Sequence, residues 1–197
     1  MHIADGIINL PVSIAANVAS ISIAYVFSRH TESDHIPKMG MIGSALFVAS
    51  LIHFPLVGTS LHLGLFGLAG IILGQRSYPV VFAVLLMQSL IFQHGGLLSV
   101  GINSINMGIG SLAAWLIWQQ RKLPEVLRSV LAGFCGIFLP ACLMATLFQI
   151  SGYGKSIFYL LSIYLVAAIV ESGITLSAVL FLRKIKSDIL PQKTYPS

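Results

Sequence analysis

The sequence predicts an all-α, polytopic membrane protein of about seven transmembrane helices, with its N-terminus outside and its C-terminus cytoplasmic. Three observations carry this. Hydrophobic residues fill 56% of the 197 positions and charged residues only 9%, against roughly 25% charged in a soluble domain. The apolar residues gather in stretches, most of them near the roughly 20 residues that cross a bilayer as a helix. The basic residues crowd into alternate connectors, so the net charge of +5 reads as membrane topology rather than nucleic-acid binding. Residues 1–197 form one membrane domain with no soluble domain attached.

In chain order the apolar stretches are 8–28, 39–55, 62–75, 78–93, 105–120, 127–150 and 157–182. The third is short and rich in glycine (Gly64, Gly67, Gly70, Gly74). It follows the polar turn Gly58-Thr59-Ser60 and reads as a close-packed or partly re-entrant helix, since glycine lets neighbouring backbones approach. With seven spans, one side receives Arg29, Lys38, Arg76, Arg121, Lys122, Arg128, Arg183, Lys184, Lys186 and Lys193, and the other only Lys155. The positive-inside rule then fixes the orientation, and six spans would break the pattern. Cys135 and Cys142 lie about 10 Å apart along one helix, too far for a disulfide, and read as packing residues. The first helix carries Ala16, Ser20 and Ala24 four residues apart, with Ala15 and Ala19 beside them. Such a row serves close packing within the bundle or docking to another membrane protein.

The N-terminus lacks the basic region of a signal peptide. His2 is large, so Met1 is expected to be retained with a free amine. That amine, the amide nitrogen of residue 2 and the imidazole of His2 can close fused five- and six-membered rings on one metal ion. The three donors are nearly coplanar with one in-plane position open, which suits Ni(II), Cu(II) or low-spin Co(II). The amide must lose its proton, so binding weakens at low pH. The competing reading is an accidental histidine after the start residue.

The other histidines sort by side. His30 and His35 fall in the first cytoplasmic loop and read as solvated, whereas His2, His53, His62 and His94 all fall at the outer face. His62, placed by Gly58-Thr59-Ser60-Leu61 at a helix start, is the natural fourth in-plane ligand or a histidine at a pore lip. Gln93-His94-Gly95-Gly96 and Gly101 through Met107 form the third outer loop. Asn103 and Asn106 there can bond backbone or imidazole N–H, and metal-bound histidines need such outer partners. Glu171 is a carboxyl near the middle of a span, which is costly and faces protein or a cavity. It reads as a structural inter-helix bond, as a bond to Thr175 one turn on in the same helix, or as a proton relay. Gly154-Lys155-Ser156 lacks the glycine that a phosphate loop places five residues earlier, so no nucleotide is expected on this chain.

Together, Met1-His2-Ile3-Ala4-Asp5-Gly6, Gly58-Thr59-Ser60-Leu61-His62-Leu63, Gln93-His94-Gly95-Gly96 and Gly101-Ile102-Asn103 through Asn106-Met107 resemble the NikM/CbiM family. These are the substrate-capture (S) components of energy-coupling factor transporters for nickel and cobalt. The resemblance spans residues 1–120 and returns at Glu171-Ser172-Gly173-Ile174-Thr175. It implies metal held by the Met1 amine, the His2 amide and imidazole, and His62, while Asp5, His53, Ser60, His94, Asn103 and Asn106 are candidate outer partners on the reading of the residues themselves. It implies Ni(II) or Co(II) as transported substrate, not a reaction catalysed. It also implies a transmembrane coupling (T) component, a pair of cytoplasmic ATPases, in some members a small accessory membrane subunit, and a place in a prokaryotic cytoplasmic membrane. The chain departs from the family pattern at His53, where asparagine is usual, and at Leu61, where glycine is common. The Ala4-Asp5 form resembles the nickel branch. A stand-alone metal permease or channel is the alternative, but it needs polar groups along a through-path, and the core offers only Glu171. A metal-dependent enzyme needs an open ligand position beside a base, and a filled four-nitrogen plane leaves none.

Overall fold

The structure is a computed structural model that describes residues 2–56, 59–153, 157–185 and 187–191, with the side chains of 53–61 and of 187 outside the description. Seven α-helices and one hairpin lie within those residues: α1 (Leu10–Ser28), α2 (Ile36–Leu51), β1 (His53–Leu56), β2 (Thr59–His62), α3 (Phe66–Leu73), α4 (Ser77–Phe92), α5 (Val100–Trp118), α6 (Glu125–Ile150) and α7 (Ile157–Ile185). The fold is therefore nearly, but not wholly, helical. The two antiparallel strands pair Leu56 with Thr59 and His53 with His62.

The hairpin corrects the expected placement of His62, which sits at the end of a strand rather than at a helix start. The local cause is Pro55. It donates no backbone N–H and biases Phe54 before it towards extended backbone, so α2 ends at Leu51 and the chain continues as a strand.

The expected third helix is also shorter than a span. α3 has 8 residues, about 12 Å of helix. Residues Phe66–Phe92 are apolar over 27 positions, yet they are not one continuous rod. The His62 and His94 rings, just outside the two ends, stand 6.1 Å apart, whereas 27 helical residues would separate the ends by about 40 Å. The chain turns back at Gly74, whose φ is +62°, a conformation that suits glycine, and passes through a 3₁₀ turn to Arg76. α1, α5, α6 and α7 have 19, 19, 26 and 29 residues, and α2 and α4 have 16 each.

α5 is the hub, packed on α1, α3, α4 and α6. α3 is buried along nearly its whole length, because its glycines let backbones touch: a Cβ on Gly67 would stand 2.6 Å from the Ala132 carbonyl oxygen of α6. On the outside, α1 exposes Leu10, Ile14, Val18, Ile21 and Tyr25, and α7 exposes Val166, Ile169, Val170 and Phe181. Apolar faces of this extent mark a polytopic membrane protein, in which lipid covers them. One end of the bundle is basic. There Arg183 of α7 pairs with Glu125 of α6 at 2.9 Å, Arg128 donates to the Trp118 carbonyl at 2.7 Å, and Lys38 donates to the Ile189 carbonyl at 2.7 Å. Cys135 and Cys142 are unpaired half-buried thiols, in keeping with packing residues.

The small-residue row of α1 faces inward. Ser13, Ala16, Ser20 and Ala24 are all buried, and the Ser20 hydroxyl meets the Tyr78 hydroxyl of α4 at 3.0 Å. Of the two uses of this row, the structure selects packing within the bundle, while Ala15 and Ala19 face outward. Ser20→Leu is accordingly expected to destabilise the protein by about 1–3 kcal/mol through overpacking, read as a lowered midpoint of thermal unfolding in detergent. An unchanged midpoint would place this row at a tolerant surface.

Candidate metal centre

Residues 2–5 thread into the end of the bundle opposite the basic connectors. Ile3 is 0% exposed. Its N–H donates to Asn103 Oδ1 at 2.8 Å, and its carbonyl accepts from Asn103 Nδ2 at 2.9 Å. One side-chain amide of α5 thus stands in for a strand partner and satisfies both backbone groups of a buried residue. Two residues on, the Asp5 carboxylate accepts from Ser99 N–H at 2.8 Å and Leu98 N–H at 3.4 Å, capping the chain where α5 begins. Gly96 lies so close beneath this carboxylate that any Cβ there would enter it. Asn17 of α1 completes the junction, accepting from Gly101 N–H at 2.8 Å and donating to the Leu98 carbonyl at 2.9 Å.

This threading brings three histidines together. The rings of His2 and His62 are nearly parallel, 17° apart in plane, with centroids 5.0 Å apart. The His94 ring lies 4.3 Å from His2, tilted by 51°. Two imidazoles sharing one ion through metal–nitrogen bonds of about 2 Å have centroids roughly 4.5–6.5 Å apart. The three separations fall in or close to that range. His2 is half-buried with both ring nitrogens out of solvent. The His62 Nδ1 faces the Leu63 carbonyl at 3.4 Å. A proton on Nδ1 would donate to this carbonyl and leave the lone pair on Nε2. His94 is placed by the end of α4: Gln93 takes φ +53°, and the His94 N–H donates back to the Gln88 carbonyl at 3.3 Å.

Not every expected residue joins the cluster. Asn103 and Asp5 hold backbone, not imidazole. Asn106, one turn beyond Asn103, is 2% exposed, and its side-chain atoms have no hydrogen bond among the described residues. The His53 backbone pairs with His62 across the hairpin, but its side chain and that of Ser60 lie outside the described residues, as does Met1. His30 is exposed. His35 gathers with Glu32 and Asp34 within 4.8 Å in the solvated connector after α1, away from the cluster.

Residues beyond the expected set also line the site. A small cavity of about 10 Å³ beside His2 and His62 is bounded by Ser50, Gly64, Phe66, Gln88 and Met107, among others. Gln88 of α4 donates to the Ser50 hydroxyl of α2. A glutamine amid Val84, Leu85 and Leu90 was the available signal for this contact, and an asparagine amid the apolar residues of α1 was the signal for Asn17.

The chain is similar to known proteins of metal transport. Residues 2–189 match the family model described as the cobalt uptake substrate-specific transmembrane region, CbiM. A putative metal transport protein of Haemophilus influenzae is 28% identical over 96% of this chain and 97% of its own length. A putative fused nickel transport protein, NikMN, of Archaeoglobus fulgidus is 30% identical over 100% of this chain and 70% of its own. A crystal structure of a truncated transition metal transporter superposes with a TM-score of 0.82 at 25% identity, covering 93% of this chain and 99% of that one. The motifs that gather His2, His62 and His94 are those that carried the NikM/CbiM resemblance, and the chain belongs to the CbiM family of membrane proteins for metal transport.

Proposed function

We propose that the chain captures a divalent transition metal at the outer membrane face as the S component of an ATP-driven uptake transporter. The observation that carries this is the proximity of the His2 and His62 rings, whose centroids are 5.0 Å apart, at an N-terminal segment that Asn103 pins in place. The ligands in this reading are the Met1 amine, the His2 amide nitrogen, the His2 imidazole and His62. In such a chelate the open position is adjacent to the His2 imidazole, and the His62 ring lies within reach of it. His94, tilted against His2, covers the plane from the side. Nickel is the favoured ion, because four nitrogens in a plane suit Ni(II), and cobalt is next. The chain makes seven passes, the third formed by the hairpin and α3, with the basic end cytoplasmic. A T component and an ATPase pair drive transport. The fused architecture of the Archaeoglobus relative supports a physical association with further transport components.

Calorimetry on the purified chain tests the reading. His62→Ala is expected to lower nickel affinity by on the order of 100-fold or more, and His94→Ala by less, within the roughly 10–100-fold typical of outer partners. The reverse order would make His94 the fourth ligand. ATP-dependent uptake of radioactive nickel by cells making this chain alone would overturn the partner requirement.

A further inference from the structure

Glu171 stands outside the histidine cluster, yet it is tied to it by backbone. The side chain is 2% exposed, on α7. Its Oε1 accepts from Gly64 N–H at 2.5 Å and Leu65 N–H at 3.1 Å, and its Oε2 accepts from Leu65 N–H at 3.2 Å. The expected bond to Thr175 is not made, and the Thr175 hydroxyl has no partner among the described residues. Both donors belong to the turn that carries the chain from β2 into α3. Leu65 there holds φ +51°, a left-handed conformation that a non-glycine residue keeps only when its surroundings enforce it. Gly64 has no space for a Cβ, which would stand 2.6 Å from the Phe66 ring and 2.8 Å from Ile137. Leu65 is also the N-cap of α3 and offers no side-chain acceptor, so the first amides of this helix need one from elsewhere.

His62 lies two residues before Gly64, with its Nδ1 against the intervening Leu63 carbonyl. Gly64 itself lines the cavity beside His2 and His62. We propose that Glu171 is a positioning residue for His62: the α7 carboxyl fixes the turn, and the turn fixes where the imidazole stands in the coordination plane. This rests on the metal-centre reading above. His2 is held by α5 through Asn103, so the two ligand-bearing segments have separate anchors, and loosening one displaces His62 relative to His2. In Glu171→Gln one acceptor becomes an NH₂ facing two backbone donors, so the turn loses part of its hold. Glu171→Asp keeps the carboxyl but withdraws it by one methylene.

The test compares wild type, both Glu171 variants and Val179→Ala, a truncation of a 0% exposed residue on the same helix that leaves the turn untouched. Each is loaded with saturating nickel chloride, and three quantities are read: the ligand-field absorption band, the rate of nickel release to EDTA, and the thermal midpoint. Glu171→Gln is expected to shift the band and speed release by about 10–100-fold, as loss of an outer partner does. Glu171→Asp should move both in the same direction by less. Val179→Ala should lower the midpoint and move neither. Band and release rate unchanged in both Glu171 variants would overturn the proposal, and should the glutamine variant fail to fold, the aspartate variant decides alone. A wild-type spectrum without a planar four-nitrogen band would overturn the metal-centre reading, and this proposal with it.

Discussion

Acetylation of the Met1 amine is expected to lower nickel affinity by on the order of 100-fold or more, well beyond the roughly 10–100-fold of an outer partner. The acetyl group turns the chelating amine into an amide with no amine behind it to take its place, so the five-membered ring loses its strong donor. The segment has no freedom to compensate by sliding. Ile3 is fixed by both of its backbone groups to Asn103, and Asp5 is fixed to the amides of Leu98 and Ser99. A shift of one residue would break both anchors and carry His2 away from His62. Calorimetry on protein whose N-terminus is verified by mass spectrometry reads the effect, and unchanged affinity would sink the chelate.

Asn103→Leu is expected to be the most damaging single substitution away from the ligands themselves. The leucine has nearly the same shape but pairs with nothing, so the Ile3 N–H and carbonyl are left buried without partners. Each orphaned group costs about 1–3 kcal/mol, enough together to lower the thermal midpoint and to free residues 2–5 from the bundle. Nickel binding should fall with it. Asn103→Asp keeps an acceptor for the Ile3 N–H but loses the donor to its carbonyl, and should fall between. Wild-type nickel affinity in Asn103→Leu would show that the N-terminal segment needs no such anchor.

The sequence made some of this architecture legible and hid the rest for identifiable reasons. Apolar stretches and the sidedness of Arg and Lys announced the membrane helices, because lipid demands long uncharged segments whatever the tertiary packing. His2, His62 and His94 could be brought to one end because alternation of helices is a one-dimensional property. The hairpin was not legible: His53–Leu56 and Thr59–His62 are four residues each, too short for a period to show. The shortness of α3 was visible in its length and the reversal after it in Arg76, a basic connector between two apolar stretches, but not that Gly74 makes the turn. Asn103 and Glu171 stood out as polar residues in apolar surroundings, yet both bond to backbone amides about a hundred positions away. Every residue but proline offers such a partner, so composition gives no clue to which one is chosen. For the α1 row, sequence spacing showed that the residues share a face but not which way that face turns.

The anchoring of the two histidine-bearing segments also bears on how the molecule is made. Residues 2–5 are made well before their partners at 98–103, which follow only after four helices have been synthesised, and the acceptor for the turn after His62 arrives with α7. Contacts of such long range are slow to form, because the intervening chain must first be ordered. The His2 segment therefore has to wait outside the nascent bundle, and the His62 turn stays unlatched until the last helix is inserted. On the proposed metal centre, translation stopped short of α7 would leave an assembly with its histidines present but unregistered, and competence to hold cargo would mark the end of membrane insertion.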